Sequence, residues 1–349
     1  MQSPQRATFG TEELAVVLSH YDLGLIESIT EFRRGSRRSP KVGIVSDRGK
    51  FLLKRRSVER VDIDRVYFAH KVQLFLASKG FPAPKLIPTS NHRRELLRIK
   101  DHIYEVFEFV RGQPGRVDEC GPPEARDAGR VLASFHETAG AFDVSDDTAR
   151  RFRGGYHDAR FVRNGLLSIG STLSSRDSFA GDEAELATLI QLVLSAYDDA
   201  ADAVNREGFE NEPRQLVHAD WHPGNLVYLN GKVAAVIDFD AIKLSQRVTD
   251  VASGALHFSI LATGDPADWP DQLDEERFGA FLDGYESLSP LREAERRCIP
   301  HLMIEALTAE CVPPITETGS VGRWSGNRVL KMVRRKGEWI ANSAERLSR

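Results

Sequence analysis

The run from Leu216 to Asp240, LVHADWHPGNLVYLNGKVAAVIDFD, concentrates the side chains best able to do chemistry. One residue separates His218 from Asp220, four separate Asp220 from Asn225, and Asp238-Phe239-Asp240 follows a turn signal at Asn230-Gly231. The pattern offers a carboxylate and an amide oxygen on one loop, then a second carboxylate at a strand end. Phosphoryl transfer from ATP needs those groups. One carboxylate accepts or orients the proton of an attacking hydroxyl, while two oxygen donors hold Mg2+ against the triphosphate. Asp220, Asn225 and Asp238 supply them in that order. A second chemistry uses overlapping residues, with His218, Asp220, His222 and Asp238 as direct ligands of a hydrolytic divalent metal. Pro223-Gly224-Asn225 has no purpose in that arrangement. A plain polar turn between two strands is the third reading.

The order H-x-D-x-x-x-x-N, hairpin, I-D-F-D resembles the aminoglycoside phosphotransferase and choline kinase-like superfamily. The resemblance implies that Asp220 is the catalytic base, that His218 buttresses its loop and that Asn225 and Asp238 are the metal ligands. Upstream, Arg34-Gly35-Ser36-Arg37-Arg38-Ser39 resembles a phosphate-covering loop. There the small residues Gly35, Ser36 and Ser39 allow backbone N–H groups to approach phosphate oxygens. Lys54, in FLLKRR, takes the place of the lysine that binds the α and β phosphates. Its expected helix glutamate is missing, because the helix reads VDIDRVYFAHKVQLFL. His70 lies near that place, and Asp62, Asp64 or Glu59 can substitute. Helices with His there look like the homoserine-kinase-like and spore-coat-kinase-like branches. Glu108-Phe109-Val110-Arg111-Gly112 matches an interlobe hinge, which implies adenine contacts through the backbone at Glu108 and Val110. His136 reads as structural, and Asp250 as a residue that caps the following helix and braces the catalytic loop. The resemblance covers about residues 20 to 260, with only loose similarity in the tail that carries Trp324 and Trp339.

The elements needed to position these groups are visible in the periodicity. A short helix from Thr11 precedes β-like runs at Ile26 to Phe32, Val42 to Ser46 and Phe51 to Lys54. Asp62 to Lys79 carries Val66, Ala69, Val72, Phe75 and Leu76 at helical spacing, and Gly80, Pro82 and Pro84 end it. Further β-like runs lie at Glu95 to Ile99 and Ile103 to Phe109. Beyond the Gly/Pro cluster at 111–115 the pattern is helical, with Ala125 to His136 and Leu186 to Val204 the clearest stretches. Only Leu226 to Tyr228 and Val233 to Ile237 read as strands there.

A chain of 349 residues and 39.0 kDa, 41% hydrophobic and 28% charged, forms a globular core without staples. Three dispersed cysteines fit neither a disulfide framework nor a metal knuckle, and no signal peptide or membrane span is legible, so the expected home is cytoplasmic. The formal charge is +8 over residues 1–112, −18 over 113–320 and +6 over 321–349.

The expectation is an α+β, two-lobed protein-kinase-like fold. Its parts are a β-rich N-lobe over 1–109, a hinge at 110–115 and a helical C-lobe over 116–349, with Mg-ATP bound between the lobes. The partner is a small-molecule acceptor, with no nucleic acid and no membrane. The candidates are an aminoglycoside, amino alcohol, sugar or homoserine-like alcohol, and oligomeric state is not legible. The acceptor pocket is expected at Arg151 to Leu173, where arginines suit an anion while the acidic block suits a cation. A catalytically weak nucleotide-binding scaffold is the alternative of a different class, and the retention of Asp220, Asn225 and Asp238 together argues against it. A protein kinase is disfavoured by the lack of an A-P-E element.

Overall fold

Alternation of apolar and polar side chains sets up the first sheet. In the computed structural model, which describes residues 7–32, 39–175, 182–262 and 264–349, α1 (Thr11–Leu18) is followed by β1 (Ile26–Phe32), β2 (Lys41–Ser46) and β3 (Gly49–Ser57). Then come α2 (Ile63–Ser78), β4 (Leu97–Ile99) and β5 (His102–Glu108). The five strands form one antiparallel sheet in the order β1-β2-β3-β5-β4. Neighbouring side chains on a strand point to opposite faces. Leu53, Val42, Ile44, Tyr104 and Val106 pack with Val17 of α1 on one face, while Ile103 packs with Val66 of α2 on the other. Lys54 and Arg56 therefore face α2, and Arg55 faces α1, where it pairs with Glu13 at 2.7 Å. Asp62 caps α2 by accepting from the backbone N–H groups of Asp64 and Arg65.

The chain continues with β6 (Gln113–Pro114), α3 (Pro122–Ala139), α4 (Asp146–Arg151), α5 (Arg160–Ser174) and α6 (Glu183–Arg206). Next are β7 (Arg214–Val217), β8 (Leu226–Leu229), β9 (Lys232–Val236), β10 (Lys243–Gln246), α7 (Val248–Ser259) and α8 (Glu275–Glu286). The last elements are α9 (Glu293–Thr318), β11 (Ser320–Val321), β12 (Trp324–Ser325) and α10 (Gly326–Leu347). Two compact units result: Met1–Gln113 with Ala234–Asp240, and Pro114–Val233 with Ala241–Arg349. The segment 234–240 thus groups with the first unit, where the Val236 N–H donates to the Pro82 carbonyl at 2.8 Å and Arg65 Nη1 donates to the Asp240 carbonyl at 3.3 Å. No helix among the described residues is long and apolar enough to cross a membrane.

In the second unit β7 and β10 pair antiparallel, with Val217 opposite Lys243. Neither strand stood out in the sequence, because four-residue segments rich in Arg, Gln, Lys and Ser carry little alternation and the partners lie far apart in the chain. Their pairing aims the chain beyond Val217 into the loop that holds Asp220.

Helices α3 and α8 approach so closely that glycine is required at the crossing. A Cβ on Gly284 would lie 1.9 Å from the Arg126 carbonyl oxygen, and one on Gly129 would lie 2.0 Å from that of Phe281. Both obstacles are backbone and cannot rotate away. Gly284→Ala should therefore cost roughly 3 kcal/mol of stability, at the upper end for an overpacked core. Urea unfolding of the variant checks it, and a loss below about 0.5 kcal/mol, the size of an inert surface change, contradicts the close approach.

Candidate active site

The first unit brings cations and carboxylates together around β3. Register places Lys54 between Lys41 on β2 and Glu105 on β5. Lys54 Nζ lies 3.3 Å from Asp240 Oδ2 and 3.6 Å from Asp238 Oδ1. Two residues along the same face, Arg56 donates from Nε to Glu105 Oε2 at 2.5 Å and from Nη2 to Asp240 Oδ1 at 2.8 Å, and its Nη1 also binds Asp240. His70 Nε2 meets the other Glu105 oxygen at 2.6 Å. Glu105 is fully buried. Burial pushes its carboxyl upward, yet Arg56, His70 and Lys54 outweigh that and hold it down at about 2. Asp240 behaves alike, with burial opposed by the nearby Lys54 and Arg56 cations, which keep it far below the usual carboxylate range. Burial, with Lys54 beside it, pushes the Lys41 amine down. Asp238 itself sits at φ 65°, a conformation rare for a residue with a side chain, and such strain concentrates at functional positions.

The second unit holds the loop that follows β7. Asp250, buried in the first turn of α7, accepts from the His218 N–H at 2.6 Å and the Ala219 N–H at 2.8 Å. This bracing fixes Ala219 at φ 62°. Asp250 thus braces the loop, as the sequence reading expects, although it lies inside the first turn of α7 and not at its cap. His136 Nε2 is 3.2 Å from Asp250 and its Nδ1 is 2.9 Å from the Tyr285 hydroxyl, which makes it a buried strut. The His218 ring is buried edge-on against Phe135 and Trp221. Asn225 Nδ2 donates to the Asp220 carbonyl at 2.9 Å and to Asp220 Oδ2 at 2.7 Å, using both amide protons and leaving Oδ1 as an oxygen donor. The Asp220 side chain is 46% exposed, so it is held yet reachable.

Beside Asp220 lies a second polar group. The Gly224 N–H donates to His222 Nδ1 at 3.0 Å, which puts the proton of the neutral ring on Nε2, 3.6 Å from Asp220 Oδ1. Burial pushes His222 down and keeps that ring neutral. The His222 ring lies 5.7 Å from that of His257, which pairs through Nε2 with Glu310 on α9 at 2.9 Å. Burial lowers His257, but the Glu310 carboxylate prevails and raises it. No Lys or Arg ion-pairs with Asp220 or Glu310 among the described residues. Arg163, which the sequence offers for an anionic acceptor, is tied to Asp158 at 2.6 Å and Asp198 at 2.7 Å.

Residues 28–297 match the phosphotransferase enzyme family. The chain belongs to that family. A homoserine kinase of Phenylobacterium zucineum (strain HLK1) is 25% identical over 295 residues, covering 83% of this chain and 80% of that one. Two solved structures share the fold at 16% identity. One is an aminoglycoside phosphotransferase from Alicyclobacillus acidocaldarius, with TM-score 0.67 and 99% of both chains covered. The other is an amicoumacin kinase in complex with AMP-PNP, Ca2+ and Ami, with TM-score 0.68 and 96% of this chain and 94% of that chain covered. The α+β fold read from the sequence is that of these small-molecule kinases, an antiparallel N-terminal sheet followed by a helical C-terminal part.

In this phosphotransferase the structure places the residues expected from sequence in two groups, each inside one unit: Lys54 with Asp238, and His218 with Asp220 and Asn225. Glu108 ends β5, and its N–H is committed to the Lys85 carbonyl at 2.9 Å, so only its carbonyl is left to meet a ligand. Val110 follows in irregular, half-buried chain. Ser39 lies just before β2, whereas Gly35 and Ser36 lie outside the described residues. The carboxylates beside Lys54 come from Asp238 and Asp240, and the residue at the helix position, His70, serves Glu105 instead. Arg56, Glu105, His257 and Glu310 were missed as site residues. For Arg56 and Glu105 a signal existed, since charges inside otherwise apolar β runs need buried partners.

A depressed carboxyl stabilises the fold above its unfolded pKa and loses that contribution as pH falls through the folded one. For Glu105 the window runs from 4.5 down to about 2. The shift corresponds to roughly 3 kcal/mol, present in full at neutral pH and fading through that window. Urea unfolding at pH 7 and pH 3 should show the drop, and Glu105→Gln should be less stable at pH 7 and flatter toward acid. An equally steep acid loss in the variant contradicts the assignment.

Proposed function

We propose that this phosphotransferase moves the γ-phosphoryl group of ATP, with Mg2+, to the hydroxyl of a small molecule that also carries an amine. The observation that carries the reading is Asp220, half-exposed and oriented by both amide protons of Asn225. A carboxylate so held accepts the proton of a hydroxyl without first reorganising. Asn225 Oδ1 and the Asp238 carboxylate are hard oxygen donors of the kind that Mg2+ takes, so the residues present fit the ion. When bound, Mg2+ supplies charge neutralisation at the phosphates. No group of three His, Cys, Asp or Glu able to hold a metal exists among the described residues, which supports an ion held jointly with nucleotide rather than a preformed hydrolytic centre. Lys54 meets phosphate oxygens, and Asp250 holds the base loop rigid.

The amine is argued from Glu310. Its carboxylate has only His257 as ion-pair partner among the described residues, and His257 abuts His222 beside the base. Two carboxylates without a Lys or Arg counterion favour a cationic acceptor, and the homoserine kinase relative points to an acceptor of similar size and charge. Glu310→Gln should raise the acceptor KM by about tenfold or more, the worth of one charge-assisted hydrogen bond, and leave the ATP KM unchanged. Steady-state kinetics with each substrate varied in turn decide it. A neutral or anionic alcohol as best acceptor, or an unmoved acceptor KM, contradicts the amine reading.

A further inference from the structure

The charge cluster on β3 has an architecture that the roles above leave unused. Arg56 spends Nε and Nη2 on Glu105 and Nη1 and Nη2 on Asp240, so four of its five N–H donors are engaged between two carboxylates. Its anchor is rigid, since Glu105 is fully buried and fixed from its other oxygen by His70 at 2.6 Å. Asp240 lies two residues beyond Asp238, whose backbone is in the strained left-handed region. Arg65 adds a second tether to the same point by donating to the Asp240 carbonyl at 3.3 Å.

We propose that Arg56, anchored by Glu105 and His70, is a positioning residue that fixes the Asp238–Asp240 segment and thereby sets the orientation of the Asp238 carboxylate. The inference rests on the reading of Asp238 as a ligand of nucleotide-bound Mg2+. Three features support it. Four of the five Arg56 N–H donors are spent on protein carboxylates, so its charge serves chiefly the protein. Its planar fork spans two carboxylates on different elements, which the point charge of lysine does not reproduce. A residue at φ 65° persists only where its surroundings over-determine it, and Arg56 with Arg65 supplies that constraint at the next-but-one residue.

The test compares wild type with Arg56→Lys and Glu105→Gln by calorimetric binding of AMP-PNP over a series of Mg2+ concentrations, well below each protein's Tm. Arg56→Lys should need about tenfold more Mg2+ for half-maximal nucleotide binding, and Glu105→Gln, which only loosens the anchor, a smaller increase in the same direction. Nucleotide binding measured in EDTA should stay within about twofold of wild type in both. A merely structural Arg56 would lower Tm and leave the Mg2+ requirement unmoved. That result in Arg56→Lys, with wild type binding normally, overturns the inference alone. Failure of wild type to bind AMP-PNP with Mg2+ overturns the site reading and this inference with it.

Discussion

Asp220→Asn should retain ATP affinity within about twofold and lose turnover by roughly 10²- to 10⁴-fold, the range associated with a positioned general base. The amide is isosteric, so its carbonyl oxygen can still accept from Asn225 Nδ2, and the loop keeps its bracing from Asp250. Only the capacity to take a proton is removed. A fall in kcat with unchanged nucleotide KM separates the base from a binding residue. Undiminished turnover in this variant removes the assignment of Asp220.

Asp238→Asn has an effect of different character. Loss of a carboxylate that holds Mg2+ should weaken magnesium-dependent nucleotide binding by roughly 30- to 5,000-fold, the 2–5 kcal/mol cost of removing one partner of a charge pair that the bound nucleotide desolvates. The same change takes one negative charge from beside Lys54, 3.6 Å away. Binding of nucleotide in EDTA should therefore be unchanged or slightly tighter. Opposite responses with and without magnesium are the signature, and calorimetry in both conditions reads them. Equal weakening in both would mean that Asp238 shapes the protein and does not serve the metal.

The parts of the fold legible in the sequence were those with a strong period or an unambiguous breaker. Helix α2 was readable because its apolar residues recur at helical spacing and glycine and proline close it, and β5 because its run from Ile103 to Phe107 is apolar save for Glu105. The pair β7 and β10 was not, although it aims the loop of Asp220, because pairing of short polar strands is decided by tertiary contact. The site shows the same division. Asp220, Asn225 and Asp238 stand at fixed spacing within one loop and one strand end, so local sequence announces them. Arg56 and Glu105 meet across strands, and Glu310 meets His257 across helices 53 residues apart, so only the folded chain shows that these charges are partners. The departure at His70 illustrates the limit. Sequence shows that the helix glutamate is missing, whereas the structure shows that a carboxylate from β5 meets His70 and pairs with Arg56.

Transfer of a phosphoryl group to the hydroxyl of an amine-bearing small molecule, with Asp220 as base, is open to direct observation. The most direct measurement incubates the protein with ATP, Mg2+ and a panel of amine-bearing alcohols, neutral sugars and anionic alcohols, and follows ADP and the mass of each acceptor together. One amine-bearing alcohol should gain a single phosphoryl group in equal amount to the ADP formed, and Asp220→Asn should slow both by at least about 100-fold. Release of ADP with inorganic phosphate and no phosphorylated acceptor, or phosphorylation undiminished in Asp220→Asn, would contradict that transfer.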